Sequence, residues 1–582
     1  MGIIDDLLRF FNLAPSAGSP VAGLLEETQW IDQPVIVDSV SGSNDAFTIT
    51  STQIDLFAAL KAAYPARVAA IDGTFVRANP VDATKYQFLR RLRIVYPADA
   101  KDTSKVNGTG RLPLAVLVHG QHESWQGGVE VRNHDGYSYL QEALAAEGIV
   151  SVSVDTNCAN YFGSLLEMRA LIILGAIDAL KAMDADSSNR LHDRIDLTRV
   201  ALLGHSRGGD AVVRAAILNK PNKHAGIKCV ISLAPTDFSG ALAVAANRMS
   251  LDASTAGFYF VLYGGMDGDV SGVGGARSFA GTGFRLYDRA VQPKAMVYAP
   301  GCTHNRFNRT WSADEDGIRP ADLVAIHSRG DHEALLTEYV VGLLMWRLLG
   351  NSKKRGLFDG SMTNSKGHAA SLQWTHGNAL LEVDGFEVAA ASSVGPRTVV
   401  GADVQSIADV VFKGVTLEMH TSHQTGALAM QESLIGPAPP VVEITVDAAH
   451  RDWSRFDLLQ FGLGVSFDVT SAASIAAGSG LPVFTVGLID GAGTSRVVDS
   501  ATFTTVSVPG KPTLHRAMVD FGMGPVDTNV TLHRLATVTV KLSKFAVGGP
   551  ALNLADVRTL EIGPTYGFAQ RTLLDSVWLV KS

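Results

Sequence analysis

Ser206 stands in the run Gly204-His205-Ser206-Arg207-Gly208-Gly209, preceded by the apolar stretch Val200 to Leu203 and followed by the helical pattern Asp210 to Leu218. Glycines two places before and two places after a serine, between a strand and a helix, are the spacing of a sharp turn that presents the hydroxyl at a sheet edge. The serine takes a strained backbone there, and the small flanking residues let neighbouring chain pass close by. A serine hydroxyl is a weak nucleophile at neutral pH. It needs an imidazole to accept its proton and a carboxylate to hold that imidazole in the right tautomer. The chemistry to look for is therefore acyl transfer through a covalent serine ester.

Two stretches downstream offer candidates for both partners. The apolar strand Phe258 to Leu262 runs into Tyr263-Gly264-Gly265-Met266-Asp267-Gly268-Asp269-Val270, where Asp267 is the chosen acid. Asp269 and Asp237, the latter just past Leu233-Ala234-Pro235-Thr236, are the alternatives, and an ordinary turn-capping or ion-paired role stands against each. The strand Ala295 to Tyr298 leads into Ala299-Pro300-Gly301-Cys302-Thr303-His304, which makes His304 the expected general base. His327 and His332 are expected at the surface. Cys302 reads as a small packing residue.

A developing oxyanion needs backbone N–H donors, for which Arg207 and Gln121 are in position, one after the serine and one after the strand Leu114 to Gly120. The Arg207 side chain is expected to pair with an acidic neighbour rather than with substrate. His119 reads as structural. His122, Trp125, Asn157 and Tyr161, with the adjacent Asn160 and Phe162, follow strand ends on the same side of the sheet and are the pocket candidates, with simple loop packing as the competing reading.

The elements that must position these residues are readable in outline. From Phe88 to Tyr96, an alternating run ending at Pro97, an edge strand is expected. Apolar strands at Leu114 to Val118, Ile149 to Val154, Val200 to Leu203, Cys229 to Leu233, Phe258 to Leu262 and Ala295 to Tyr298 then alternate with helices at Tyr137 to Glu147, Leu165 to Met183, after Ser206, and His332 to Leu348. Uniformly apolar strands between helices imply a mostly parallel, doubly wound sheet covered on both faces. Beyond Gly350 to Gly356 the helical period fades. Short alternating runs such as Val441 to Val446, Leu463 to Val469 and Ala536 to Leu542 imply a β-sandwich. The division expected is a wrapping segment at 1–80, a catalytic α/β domain at 81–350, a linker at 351–365 and an all-β accessory domain at 366–582.

With its flanking strand and helix, the Gly204 to Gly208 turn resembles the nucleophile elbow of the α/β-hydrolase superfamily, and Gly-His-Ser-Arg-Gly-Gly is similar to the form in chlorophyllase-like and related bacterial esterases. The resemblance implies the chain order serine, acid, histidine, and Gly264, Asp267 and Val270 match the superfamily's G-x-x-D-x-x-V loop. The last strands, from Leu542 to Leu579, resemble galactose-binding-like jelly rolls of carbohydrate-active enzymes over about 40 residues. A serine esterase with a jelly-roll partner is the implied whole. Its substrate is a small or polymeric ester, and carbohydrate is the ligand implied for the C-terminal domain, where Trp374, Trp453 and Trp578 are the aromatic candidates. A polymer- or glycan-directed esterase, or a catalytically dead scaffold on the same fold, are the alternatives.

Composition narrows the rest. The chain has 582 residues, 46% hydrophobic and 18% charged, enough for a large core. A net charge of −8 without basic blocks argues against nucleic acid. Three cysteines cannot form a disulfide framework, and the start lacks a basic, long-apolar leader, so a cytoplasmic location is favoured, or export with a removed signal. No apolar run is long enough for a membrane span, and Ile3 to Phe11 reads as a short docked helix. Asp184 to Ser188 lacks the glycine and glutamate of a calcium loop, and no histidine or cysteine spacing suits zinc, so no metal or cofactor is expected.

Overall fold

The computed structural model describes residues 21–32, 38–39, 50–51, 76–82, 86–237, 249–312, 318–320, 325–385, 391–400, 404–406, 428–430, 441–466, 484–499, 513–520, 525–532, 535–564 and 571–581, apart from 100, 109, 127, 161–165, 268, 271–282, 369, 376–378 and 548. The expected helix at Ile3 to Phe11 and the pocket candidates Tyr161 and Phe162 lie outside the described residues.

The N-terminal part is built on a ten-stranded sheet. Its strands are β1 (Val21–Asp32), β2 (Val76–Ala78), β3 (Tyr86–Ala98), β4 (Leu112–Val118), β5 (Val150–Val154), β6 (Ile195–His205), β7 (Ile227–Leu233), β8 (Tyr259–Gly264), β9 (Lys294–Ala299) and β10 (Ser371–Thr375). They lie in the order β1-β3-β5-β4-β6-β7-β8-β9-β10, with β2 paired to β3. From β5 to β9 every pairing is parallel.

The period of two along each strand divides the core. Val116 and Val118 of β4 and Leu202 of β6 join an apolar cluster under α2 (Leu166–Ala185), α3 (Arg207–Leu218) and α4 (Gly283–Arg289). Leu117 and Leu203 face the opposite way, into a cluster under α1 (Ser138–Ala146) and α5 (Arg329–Leu349). Helix α5 begins where the Ser328 side chain accepts from the Asp331 N–H and ends where Gly350 turns left-handed at φ 71°.

Three expectations are corrected here. The run ending at Pro97 is not an edge: β1 pairs with β3 along its length, Ala22 opposite Pro97. A strand from the supposed wrapping segment thus forms the border, which no local pattern near residue 88 announces. Residues 351–365 are not a free tether. Ser352–Leu357 forms a 3-10 turn with Leu357 and Phe358 buried against the α5 face, and Lys354 Nζ lies 3.2 Å from the Glu338 carboxylate. Past it, β10 pairs antiparallel with β9, Ala295 opposite Trp374, so the first strand after this turn extends the α/β sheet.

The remaining chain is β-rich. One antiparallel sheet includes Leu458–Ser466, Ala536–Lys541, Arg571–Lys581 and Ala379–Asp384, and another includes Gly395–Val400, Val441–Thr445, Val557–Pro564, Phe484–Asp490 and Ser495–Asp499. Leu459, Phe461 and Leu579 from the first and Ile444, Val486 and Leu560 from the second share one core. A buried ion pair of 2.6 Å between Asp384 and Arg397 joins the two sheets. Trp453 is fully buried in this core and donates its Nε1–H to the His450 carbonyl at 3.0 Å, so it offers no face to a ligand. A smaller sheet pairs Ile318–Pro320 with Thr513–Asp520 and that strand with Pro525–Leu532.

Candidate active site

Ser206 sits between β6 and α3 at φ 57° and ψ −125°, a region that L-residues seldom occupy. Its amide donates to the Leu233 carbonyl of β7 at 2.9 Å, and its carbonyl accepts from Gly209 at 2.7 Å. The small neighbours are steric requirements. A Cβ at Gly208 would lie 2.6 Å from the Val118 carbonyl of β4, and one at Gly204 would overlap the Gly208 carbonyl. A Cβ at Gly120 would stand 3.0 Å from Ser206 Oγ, so the loop after β4 lies directly against the serine. Gln121 follows in that loop. The Arg207 guanidinium donates to the Gln121 side-chain oxygen, and this contact ties together the two residues whose amides are the oxyanion candidates. Asp210, at the start of the following helix, acts on the Arg207 charge together with Asp269, and the guanidinium bonds this neutral amide across the cleft as well.

The loops after β8 and β9 carry the acid and the imidazole. Asp267 is fully buried, and each of its oxygens is engaged. Oδ1 accepts from the Asp269 and Val270 amides at 2.9 and 2.7 Å, and Oδ2 lies 2.7 Å from His304 Nδ1. These bonds give the D-x-x-V spacing its physical reason: the turn that brings the Val270 N–H back onto Asp267 aims the other oxygen at the imidazole. Asp269 lies on the far side of the ring, its Oδ2 3.6 Å from His304 Nε2 and its side chain 41% exposed. Asp237 is held by Arg289 through two contacts of 2.9 Å and is turned away from this arrangement.

His332, expected at the surface, is instead fully buried and supports the same loop. Its Nε2 accepts from the Thr303 N–H at 2.8 Å, and its Nδ1 donates to the Ser328 carbonyl at 2.8 Å. The residue lies on the inward face of α5, and the period of that helix is the sequence signal that marks it. Burial, with Arg306 and His327 nearby, brings this imidazole down to about 4 from an ordinary 6.5. The fold therefore keeps His332 neutral where the unfolded chain takes up a proton, so stability is lost as pH falls from about 6.5 to about 4. Between pH 7.5 and 5 the loss from this group is about 2 kcal/mol. In His332→Gln, which retains an acceptor for Thr303, urea unfolding is expected to lose correspondingly less stability over that interval than in the parent protein. An equal loss in both would refute the assignment.

The sequence reading missed Trp311. It is nearly buried, donates to Asn133 Oδ1 at 2.8 Å, and stacks on His122 at 5.0 Å between centroids and on His205 at 4.7 Å. His304 stands 6.2 Å from it at an interplanar angle of 14°. An aromatic residue on the loop that carries His304 was the available signal. His205 is fully buried, with Nδ1 2.9 Å from the Tyr137 hydroxyl, and burial together with His304 pushes its pKa well below the ordinary value. A neutral ring therefore lies beside His304.

Two other pocket candidates are braces. Asn157 is buried, donates to the Val131 carbonyl at 2.8 Å and accepts from Asn133 at 2.7 Å. Trp125 packs against the apolar cluster under α2 and α3. Behind the Gly120 loop, His119 accepts the Thr156 N–H at 2.8 Å and donates to the Gly120 carbonyl at 2.8 Å, and Arg169 bridges Thr156 and Asn160 at 2.6 and 2.7 Å. Burial pushes Asp155 up, but His134 and His119 beside it outweigh that and bring it to about 2. Cys158, Cys229 and Cys302 are buried and unbridged, and burial raises the Cys158 and Cys229 thiols to about 12. Among the described residues no cluster of His, Cys, Asp or Glu is arranged to hold a metal, and no helix is long and apolar enough to cross a membrane.

Comparison with known proteins places this architecture. A family model described as PET hydrolase-like matches residues 131–254, the part that contains Ser206. Over 98 residues the chain is 32% identical to Cutinase est1 of Thermobifida alba, a stretch covering 17% of this chain and 29% of that protein. The same identity and length hold for Cutinase 2 of Thermobifida cellulosilytica, covering 33% of it, and for Cutinase of Thermobifida fusca (strain YX), covering 27%. The chain thus spans a third or less of the curated relatives it matches. The parallel sheet, the strained serine turn and this match define an α/β-hydrolase fold. Within that class the matched segment is PET hydrolase-like, with weak similarity to the Thermobifida cutinases.

Proposed function

We propose that the chain hydrolyses carboxylic esters through an acyl-enzyme on Ser206. The observation that carries this reading is the Asp267–His304 contact of 2.7 Å, formed by two loops at the same sheet edge as the strained serine. His304 Nε2 takes the serine proton as Oγ bonds to the carbonyl carbon. The Arg207 and Gln121 amides receive the oxyanion, and His304 returns the proton to the departing alcohol. Water then adds to the acyl-enzyme by the same relay and releases the acid, while Asp267 stabilises each transient imidazolium. No cofactor enters any step.

The cutinase and PET hydrolase-like similarities, with the stacked wall of His122 and Trp311, support a polymeric ester substrate over a small soluble one. The β-rich C-terminal part is proposed to serve binding rather than chemistry, as a jelly roll does in carbohydrate-active enzymes. A fluorophosphonate probe tests the catalytic reading: rapid labelling confined to the peptide containing Ser206 is expected by mass spectrometry. An unlabelled chain that still melts cooperatively would support the inactive-scaffold alternative.

A further inference from the structure

Where the α/β sheet meets the β-rich part, a cleft of about 310 Å³ opens among the segment before β9, the strand β10 and the outer face of the sheet containing Leu458–Ser466 and Arg571–Lys581. Strand alternation explains its lining. Leu459 and Phe461 point into the sandwich core, so Gln460 points outward, and its register partner Trp578 lies outward between the buried Val577 and Leu579. On the opposite wall β10 supplies Gln373, while the next residue, Trp374, turns its ring into the core under α1 and α5 and borders the cleft with its backbone. The Trp374 backbone is clamped to Thr537, whose hydroxyl accepts its N–H at 2.7 Å and donates to its carbonyl at 3.0 Å.

The polar groups of this cleft divide into two kinds. The charged ones are engaged: Lys294 Nζ donates to the Tyr287 carbonyl at 2.8 Å, Arg289 grips Asp237, and Glu382 accepts from Ser393 at 2.8 Å. Neutral amides are left over. Gln292 is 2% exposed with neither side-chain atom bonded, and Gln373 and Gln460, at 6% and 1%, each have an unbonded Oε1. An unpaired buried polar atom costs about 1–3 kcal/mol, and folded proteins keep few of them. Several converging on one cleft beside the Trp578 indole describe a surface awaiting a partner that gives and takes neutral hydrogen bonds and offers a C–H face to an aromatic ring.

We propose that this cleft binds a neutral saccharide unit, stacked on Trp578 and held by the side-chain amides of Gln292, Gln373 and Gln460. The site belongs to both parts of the chain, so neither part alone completes it. It lies at the start of β9, roughly 16 Å along that strand from the loop bearing His304. It is therefore a separate anchoring site and not the ester pocket, and it stands whether or not the ester chemistry does.

Isothermal titration of the full chain with cellotriose, xylotriose, maltotriose and galactobiose tests this directly. At least one of these is expected to bind with a Kd between about 10 μM and 1 mM. Trp578→Ala and Gln373→Leu are each expected to weaken that binding at least tenfold, with p-nitrophenyl butyrate turnover unchanged. If Trp578→Ala melts early, Gln373→Leu, close in volume, decides. No binding of any of the four sugars by a cooperatively folded chain would overturn the proposal, the amides then being satisfied by water alone. Binding that survives both substitutions, or binding of bis(2-hydroxyethyl) terephthalate in place of the sugars, would overturn it equally. Loss of ester turnover in Ser206→Ala with sugar binding intact would separate the two sites.

Discussion

Ser206→Ala is expected to lower kcat for p-nitrophenyl butyrate on the order of 10⁶-fold while leaving KM within a few fold. The alanine keeps the Cβ that already stands against Gly120, so the turn retains its shape and only the attacking oxygen is lost. Two nearby described groups, a hydroxyl and a thiol, are not placed to replace that oxygen. The Thr236 hydroxyl is committed to Asp210 at 3.0 Å, and Cys302 is fully buried under the β9 loop. Residual turnover would come from the amides and the His304–Asp267 pair acting on a bound water. The strain at this position separates stability from activity. At φ 57° and ψ −125° alanine and serine carry the same backbone cost, so Ser206→Ala should unfold within about 1 kcal/mol of the parent protein. Ser206→Gly relieves the strain and should be the more stable of the two. A Ser206→Ala protein that keeps more than a hundredth of parent turnover would remove the acyl-enzyme from the mechanism.

How much of this was legible before any coordinates follows from where the information sits. The strand-turn-helix around Ser206 is local: apolar run, two glycines and amphipathic helix lie within twenty residues, and the backbone follows them. The loops bearing Asp267 and His304 were marked by the ends of apolar strands, because parallel strands deliver their C-terminal loops to one edge. Three features escaped for a common reason, each depending on a contact distant in sequence. β1 gains its place by pairing with β3, a match of two half-polar strands far apart in the chain. His332 looks like a surface residue near a helix start until α5 is docked and its inward face is known. Trp311 acquires meaning only when the Asn133 loop meets it and three imidazoles gather around it. At the other junction, Gln460 and Trp578 read as solvated positions of an alternating strand until β10 closes the far wall of the cleft they line.

Asp267→Asn is expected to lower kcat about 10⁴-fold, whereas Asp269→Asn should change it by no more than a few fold. Both carboxylates lie within reach of the His304 ring, so proximity does not separate them, but their hydrogen bonds do. Asp267 accepts three times, from the Asp269 and Val270 amides and from His304 Nδ1. An asparagine has one acceptor oxygen. Turned toward the two backbone amides, it presents its NH₂ to Nδ1, which then has to be the unprotonated nitrogen. Nε2 carries the proton in that tautomer and cannot accept one from Ser206. Turned the other way, it sets its NH₂ against two backbone N–H groups in a fully buried site, at a cost of about 1–3 kcal/mol for each donor left unpaired. The first orientation is therefore the stable one, and it is inactive. Asp269 makes no such demand on Nδ1. Its part-exposed carboxylate, 3.6 Å from Nε2, makes only a solvent-screened contact, so its loss should leave the plateau of the kcat/KM profile nearly unchanged. Measured side by side, the two profiles distinguish orientation from charge. If the larger loss fell on Asp269→Asn instead, the relay would run through the exposed carboxylate and the roles assigned to the two faces of the His304 ring would be reversed.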